Sequence, residues 1–208
     1  MKALLAQMHQ WMADYMKSFY NEDEKIQAAI LLKEEHTGYV TEISRDLAAH
    51  LQLSGHDCQL AEMMGLFHDI GRFRQFTLYQ TFNDAESEEP AALRVKVLHE
   101  LPVAAELSPE DQALLFFAVA NHNKKEIAPT RDKRKLFFAR LLRDADKLDI
   151  YRVLSPFLAP SDGGGFAPGA VGGHDAALAA GVAAGDEAVD DSGGEIEETQ
   201  SRRLVGLG

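Results

Sequence analysis

The sequence predicts an all-α domain, and three observations carry this prediction. Apolar residues recur at intervals of three and four through most of residues 1–160, which is the spacing of one face of an α-helix. No stretch of convincing length alternates apolar and polar residues as a half-buried strand does. Helix start signals precede periodic segments, most clearly at Ser108-Pro109. We therefore expect a compact helical bundle over residues 1–160 and a separate tail over residues 161–208.

Two amphipathic helices are predicted in the first 51 residues. The first has an apolar face made of five residues: Leu4, Met8, Trp11, Tyr15 and Phe19. The second covers about residues 22–51, and one of its stripes also holds five residues: Leu32, His36, Val40, Ile43 and Leu47. Because His36 lies on an otherwise apolar stripe, we expect its imidazole to face the core.

The next helix is predicted to begin at Asp57, as its N-cap, and to end at Gly71 in a left-handed conformation. Its apolar face has three residues: Leu60, Met64 and Phe67. His68 and Asp69 then fall in its last turn. Residues 72–82 have no clear period and are predicted to form a loop with at most a short helical turn.

Three later segments are also predicted to be helical. Pro90 opens one that runs to about residue 100. Ser108 is the expected N-cap of a second, which has proline at its first position, acidic residues in its first turn and an end near residue 122. The third covers residues 131–153, where Asp146 shares a face with apolar neighbours: Leu142, Ile150 and Val153.

The composition changes after residue 160. Twelve of the sixteen glycines lie between Gly163 and Gly208, and Phe166 is the last aromatic residue. Such a segment has little apolar area to offset the entropy of ordering it. We therefore expect residues 161–208 to form a flexible or divergent tail of low complexity.

The overall charge and the cysteine content limit the function classes. A formal charge of -12, from 21 basic and 33 acidic residues, argues against broad binding of nucleic acid or of an anionic membrane. A small anionic ligand could still bind where local cationic groups or a metal receive it. Cys58 is the only cysteine, so no intramolecular disulfide is possible. The absence of an export signal and of a long apolar run predicts a soluble cytoplasmic protein.

One His-Asp pair stands out among three. His56-Asp57 lies at a helix start, and His174-Asp175 lies in the glycine-rich tail. Only His68-Asp69 lies within an apolar helical segment, and its context is Gly-Leu-Phe-His-Asp-Ile-Gly-Arg-Phe over residues 65–73. Imidazole and carboxylate groups are costly in an apolar core unless they are paired or bind a metal. This pair is therefore the candidate for chemistry.

The pattern resembles the HD-domain superfamily of metal-dependent phosphohydrolases over about residues 22–151. That family has a His, then an adjacent His-Asp pair, then a distant Asp, all on helices. The resemblance implies a helical bundle of the HD type and four metal ligands: His36, His68, Asp69 and Asp146. Asp144 and Asp149 compete for the last position. Asp146 is preferred because its stripe neighbours are apolar and because the family's ligand usually precedes a basic residue, which is Lys147 here.

The resemblance also implies a divalent cation (Mn, Mg, Fe, Ni, Co or Zn, which spacing cannot distinguish). Asp69 is a candidate catalytic residue because it is one of the implied metal ligands. Arg72 is another, since it follows His-Asp-x-Gly where relatives often carry a Lys, and a guanidinium suits phosphate oxygens. Candidates for a second metal or for phosphate binding are three: His99, His122 and Lys147.

The leading functional hypothesis is hydrolysis of a phosphomonoester or phosphodiester by a metal-activated water. The expected partner is a small phosphorylated substrate, with nucleotides as the favoured class, and a homodimer is left open. The chain lacks the signatures of alarmone hydrolases and of cyclic-di-nucleotide phosphodiesterases, so neither of those substrates is favoured. The alternatives are a non-catalytic HD module that senses a nucleotide or metal, and a purely structural helical bundle.

Overall fold

The computed structural model describes residues 1–80 and 96–158. This part contains six α-helices, one 3₁₀ helix (Pro102–Glu106) and no strand, which confirms the all-α prediction. The α-helices are α1 (Lys2–Lys17), α2 (Glu24–His50), α3 (Gly55–Phe67), α4 (Ile70–Tyr79), α5 (Pro109–Asn121) and α6 (Lys133–Leu158). Residues 96–99 are also helical. Among the helices described, none is long and apolar enough to cross a membrane.

Two of the sequence predictions lie outside the described residues. One is the helix start at Pro90, since residues 81–95 are not described. The other is the tail over residues 161–208, together with the domain boundary near residue 160. Both stay predictions.

The third helix lies at the centre of the bundle. Helix α3 contacts α1, α2, α5 and α6, while α2 also packs on α4 and α6. The buried apolar residues of these helices form one main core. Because His68 and Asp69 directly follow α3, the chain carries this pair into the middle of the bundle.

The first helix packs through methionines. Its buried residues are Leu5, Met8, Met12 and Met16. The aromatic part of the predicted face, Trp11 and Tyr15, is only partly buried and packs at the core's edge, with the two rings stacked at 5.0 Å. Flexible thioethers fill irregular space well, so methionine suits this interface.

Helix α2 buries a polar face. Besides His36, it buries four polar side chains: Lys33, Thr37, Thr41 and Ser44. The Thr41 hydroxyl donates to the Thr37 carbonyl oxygen at 2.6 Å, which satisfies it within the helix. Apolar periodicity alone placed Leu32, Ile43 and Leu47 on the inner stripe, yet these three are only partly buried. The small hydroxyl residues instead allow α3 to approach closely.

That approach depends on a glycine. A Cβ atom at Gly65 would lie 2.8 Å from both the Thr41 Cα and the Val40 carbonyl oxygen, and 2.9 Å from the Ser44 Oγ. Two of these three atoms belong to the backbone, so they cannot move aside without shifting a helix. Gly65 therefore sets the distance between α2 and α3.

We expect Gly65→Ala to lower the free energy of unfolding by about 1–3 kcal/mol, the usual cost of overpacking a core. Chemical denaturation of purified protein measures this change. The matched control is Gly38→Ala, since a Cβ at Gly38 in α2 meets no atom within 4 Å, and alanine there should stabilise the helix by up to about 1 kcal/mol. Similar effects of the two substitutions would contradict the role of Gly65.

The end of α3 differs from the prediction. The helix ends at Phe67, and Asp69 leaves helical geometry with φ -109° and ψ 19° before α4 begins at Ile70. Gly71 therefore lies in the first turn of α4 and does not stop α3. The predicted loop over residues 72–82 was wrong as far as Tyr79, because Ile70, Phe73 and Phe76 form a buried helical face.

The helix starts were predicted with mixed success. Ser54, not Asp57, is the N-cap of α3, and its hydroxyl oxygen accepts from the Asp57 amide at 3.1 Å. The expected cap of α5 is confirmed, since the Ser108 hydroxyl oxygen accepts from the Asp111 amide at 3.1 Å. Helix α6 is also confirmed, and it buries Asp146.

Candidate metal centre

Four side chains from distant parts of the chain meet inside the bundle. His36 comes from α2, His68 and Asp69 from the junction of α3 and α4, and Asp146 from α6. All four are at most 3% exposed. His68 and Asp69 are adjacent in sequence, whereas His36 and Asp146 are distant from them, so the packing of α3 against α2 and α6 brings the cluster together.

The atoms of this cluster have the separations of ligands around one ion. His36 Nε2 lies 3.1 Å from His68 Nε2 and 3.1 Å from Asp146 Oδ1. Asp69 Oδ2 lies 3.5 Å from His68 Nε2 and 3.8 Å from His36 Nε2. Metal bonds of about 2.0–2.2 Å at tetrahedral or octahedral angles separate adjacent ligand atoms by roughly 3.0–3.5 Å. His36, His68 and Asp69 place their ligand atoms within 4.8 Å of one another, as around one metal ion, and Asp146 Oδ1 lies against both imidazoles.

Hydrogen bonds orient the two imidazoles for this role. His68 Nδ1 lies 2.7 Å from the Gly65 carbonyl oxygen, which can only accept, so Nδ1 carries the proton. His36 Nδ1 lies 2.7 Å from Asp149 Oδ2, and a carboxylate likewise accepts. Each neutral ring then presents the lone pair of Nε2. Two lone pairs 3.1 Å apart repel each other unless a proton or a metal ion lies between them.

The carboxylates are held ionised. Burial raises the pKa of Asp146, but the neighbouring His36 and His68 rings outweigh it and lower this pKa to about 2. Burial also opposes ionisation of Asp69, whose pKa nevertheless lies well below its usual range because of Lys33 and His68. Asp146 Oδ1 is buried and receives no hydrogen bond of good geometry from the described residues. A buried anionic oxygen in that position fits a metal ligand.

The two imidazoles differ in proton affinity. Burial lowers the pKa of His68 to about 4, which keeps its ring neutral. For His36, burial and the Lys33 charge lower the pKa, but Asp146 and Asp149 outweigh them and raise it to about 9. In the absence of a cation, a proton on His36 therefore compensates part of the negative charge. A metal ion would take the place of that proton.

Two neighbours of the cluster were not predicted in these roles. Lys33 is 1% exposed, and its Nζ donates to Asp69 Oδ2 at 2.7 Å. It lies three residues before His36, so the shared helix face was a usable signal. Asp149, weighed in the sequence as a competing ligand, instead contacts the other nitrogen of His36 and accepts from Arg152 Nε at 2.6 Å. The other competitor, Asp144, is exposed.

The remaining candidate residues lie in different surroundings. His122 is buried beside the cluster, with Nε2 3.6 Å from Asp69 Oδ1 and Nδ1 bonded to the Val119 carbonyl oxygen at 2.8 Å. His99 is exposed, with its ring edge-on to Phe116. Lys147 is exposed on α6. The structure thus brings only His122 of these three against the cluster.

Arg72 is fully buried on α4. Its Nη1 donates to Gln75 Oε1 at 2.7 Å, and its Nε lies 3.7 Å from Asp69 Oδ1. The guanidinium therefore borders the cluster on the side of Asp69. Together with Lys33 it places two basic side chains next to that carboxylate.

A helical bundle with a buried cluster of imidazoles and carboxylates defines an all-α protein with a site that could hold a metal ion. The family model described as HD domain matches residues 34–151, which is more than half of the chain. The chain belongs to the HD domain family. No curated protein and no solved structure matches the chain.

Proposed function

We propose that this protein is a metal-dependent hydrolase of phosphate esters. The observation that carries the proposal is the approach of His36 Nε2 and His68 Nε2 to 3.1 Å in the buried core, beside two ionised carboxylates, while the Nδ1 atom of each ring is bonded to another acceptor. Such an arrangement is stable when a divalent cation lies between the four groups. Membership of the HD domain family supports the same conclusion.

His36, His68, Asp69 and Asp146 would hold the cation. Two neutral imidazoles and two carboxylates balance a divalent charge and leave coordination positions for ligands from solution. The bound cation would polarise the phosphorus centre and lower the pKa of a water molecule. Lys33 holds one oxygen of Asp69 and keeps that carboxylate ionised. Asp149 holds the His36 ring in the orientation that points Nε2 into the cluster.

Arg72 and His122 supply the polar groups on the other side of Asp69. His122 has Nδ1 committed to a carbonyl oxygen, so its Nε2 is an acceptor at neutral charge and a donor when protonated. Arg72 carries a permanent positive charge that would attract a phosphate group toward the cluster. The position of His122 suits binding of substrate or of a second cation. The position of Arg72 suits stabilisation of negative charge on the substrate.

We further propose that the substrate is a nucleotide and that the protein is located in the cytoplasm. A charge of -12 on the chain disfavours long polyanions. A single nucleotide carries few charges and can be received by the cation and the adjacent Arg72. For this reason we propose a mononucleotide rather than a nucleic acid as the substrate.

Metal analysis combined with a phosphatase panel tests the proposal. We expect purified protein to bind close to one or two equivalents of a divalent ion and to hydrolyse phosphate esters with Mn²⁺, Mg²⁺, Ni²⁺ or Co²⁺. His36→Ala should lose both properties. His50→Ala is the matched control, because His50 is an exposed histidine of the same helix. Metal binding without hydrolysis of any ester would favour the sensor hypothesis, and absence of metal binding would leave a structural bundle.

A further inference from the structure

A groove lies between α6 and the segment that connects α5 to α6. Its volume is about 430 Å³, which falls in the range of small-molecule sites, roughly 300–1,000 Å³. Its lining residues are Lys125, Glu126, Ile127, Leu136, Arg140, Arg143 and Asp144. None of them belongs to the metal cluster.

The groove combines cationic and apolar groups. Three of its side chains are basic: Lys125, Arg140 and Arg143. Arg140 and Arg143 stand three residues apart on α6, so they share one helix face. The partly buried side chains of Ile127 and Leu136 supply apolar surface in the same groove. A ligand with an anionic end and a flat or apolar body matches this combination.

Among residues 1–80 and 96–158, no carboxylate forms an ion pair with the basic side chains of the groove. Within the part of the chain that the structure describes, Lys125, Arg140 and Arg143 make no ion pair or side-chain hydrogen bond. In contrast, nearby Arg134 is bound by two carboxylates, from Asp57 and Glu110. Glu126 and Asp144 also line the groove but lie beyond ion-pair distance of its three cations. The cationic groups are therefore available to an anion from solution.

The local charge is opposite to that of the whole chain. Residues 124–144 contain eight Lys or Arg and only three Asp or Glu, whereas the complete chain has a formal charge of -12. Three of these eight basic residues line the groove, and because the rest of the chain carries a net negative charge, they create a local site of attraction for an anion. The same overall charge disfavours an extended polyanion.

We infer that this groove binds a small organic phosphate of nucleotide size, with its phosphate on Arg140 and Arg143. Guanidinium groups bind phosphate oxygens through paired charge-assisted hydrogen bonds. Ile127 and Leu136 receive the base or another flat group. The binding needs no divalent cation, so it does not depend on the proposed hydrolase activity.

Calorimetric titration in EDTA tests this inference with three probes: ADP, inorganic phosphate and adenosine. EDTA removes divalent ions, so binding at the metal cluster does not contribute. ADP should bind most tightly, because only it offers both a phosphate and a base. Arg140→Glu/Arg143→Glu should weaken ADP binding at least about tenfold, since each lost charge-assisted hydrogen bond contributes that much or more.

A charge-matched variant separates a local site from general electrostatics. Lys2→Glu/Arg45→Glu changes the net charge by the same amount at two exposed positions outside the groove. This variant should change ADP affinity less than about twofold, because neither residue lines the groove and salt screens exposed charges. Equal weakening in both double variants would overturn the inference. The inference would also be overturned if adenosine bound as tightly as ADP, or if ADP failed to bind in EDTA.

Discussion

Asp69→Asn is expected to abolish tight binding of a divalent cation and to abolish phosphate ester hydrolysis. Asp69 supplies a negative charge and an oxygen 3.5 Å from His68 Nε2, and the amide keeps the shape but loses the charge. Metal content by elemental analysis after dialysis, together with activity at saturating Mn²⁺, measures the effect. Full metal occupancy in the variant would remove Asp69 from the site.

The same substitution should also destabilise the fold, for a reason that can be separated from metal binding. The side chain of Lys33 is 1% exposed, and its Nζ donates to Asp69 Oδ2 at 2.7 Å. Removal of one partner from a buried ion pair costs about 3–5 kcal/mol, whereas replacement of both partners by neutral groups is often tolerated. The double variant Lys33→Met/Asp69→Asn should therefore recover part of the lost stability, because only Arg72 then remains as a buried cation beside position 69, and it should not recover metal. If the double variant instead binds metal, the charge of Asp69 is not needed for the site.

Asp149→Ala is expected to weaken metal binding about 10- to 100-fold while the four proposed ligands remain in place. Asp149 Oδ2 accepts from His36 Nδ1 at 2.7 Å and so directs the Nε2 lone pair toward the cluster. Arg152 supports the carboxylate, with Nε 2.6 Å from Asp149 Oδ1 and its guanidinium carbon 3.7 Å from the centre of the Tyr39 ring. Without Asp149, the His36 ring is free to rotate or to take the other tautomer.

Metal titration and nitrogen chemical shifts of the histidines together measure this effect. The titration gives the change in affinity, and the shifts show whether the His36 proton leaves Nδ1. Asp144→Ala is the matched control, because Asp144 lies on the same helix but is exposed. Complete loss of metal in Asp149→Ala would mean that Asp149 is itself a ligand. An unchanged affinity and tautomer would show that the hydrogen bond has no positioning role.

Local signals predicted most helices well. The Ser108 cap and the first turn of α5 follow from side chains that bond to the nearest backbone amides. Helix α6 follows from a repeated apolar spacing over many residues. The end of α3 was predicted wrongly because Gly71 resembles a helix stop, while the actual change of direction occurs at Asp69. The residues close to Asp69 and Gly71 in sequence do not distinguish these two possibilities, because the backbone conformation of Asp69 depends on the core packed around it.

The surroundings of the candidate site were less accessible to sequence reasoning. The methionine face of α1 and the polar face of α2 both depend on which neighbour each helix meets. A buried lysine such as Lys33 contradicts the usual preference of lysine for the surface. Its burial is compensated by Asp69, a residue 36 positions away. Pairing over such a distance is decided by packing and not by periodicity.

The sequence by itself determined the all-α class, the chemical type of the proposed ligands and their order along the chain. Helix periodicity and capping depend on residues a few positions apart, so they can be read without a fold. Only the tertiary structure decided how the acidic residues of α6 divide between roles. Asp146 lies on the Nε2 side of His36, and Asp149 on the Nδ1 side. The physical reason is that one turn of α6 presents both carboxylates to the same ring, and the packing of α2 against α6 selects the nitrogen that each one faces.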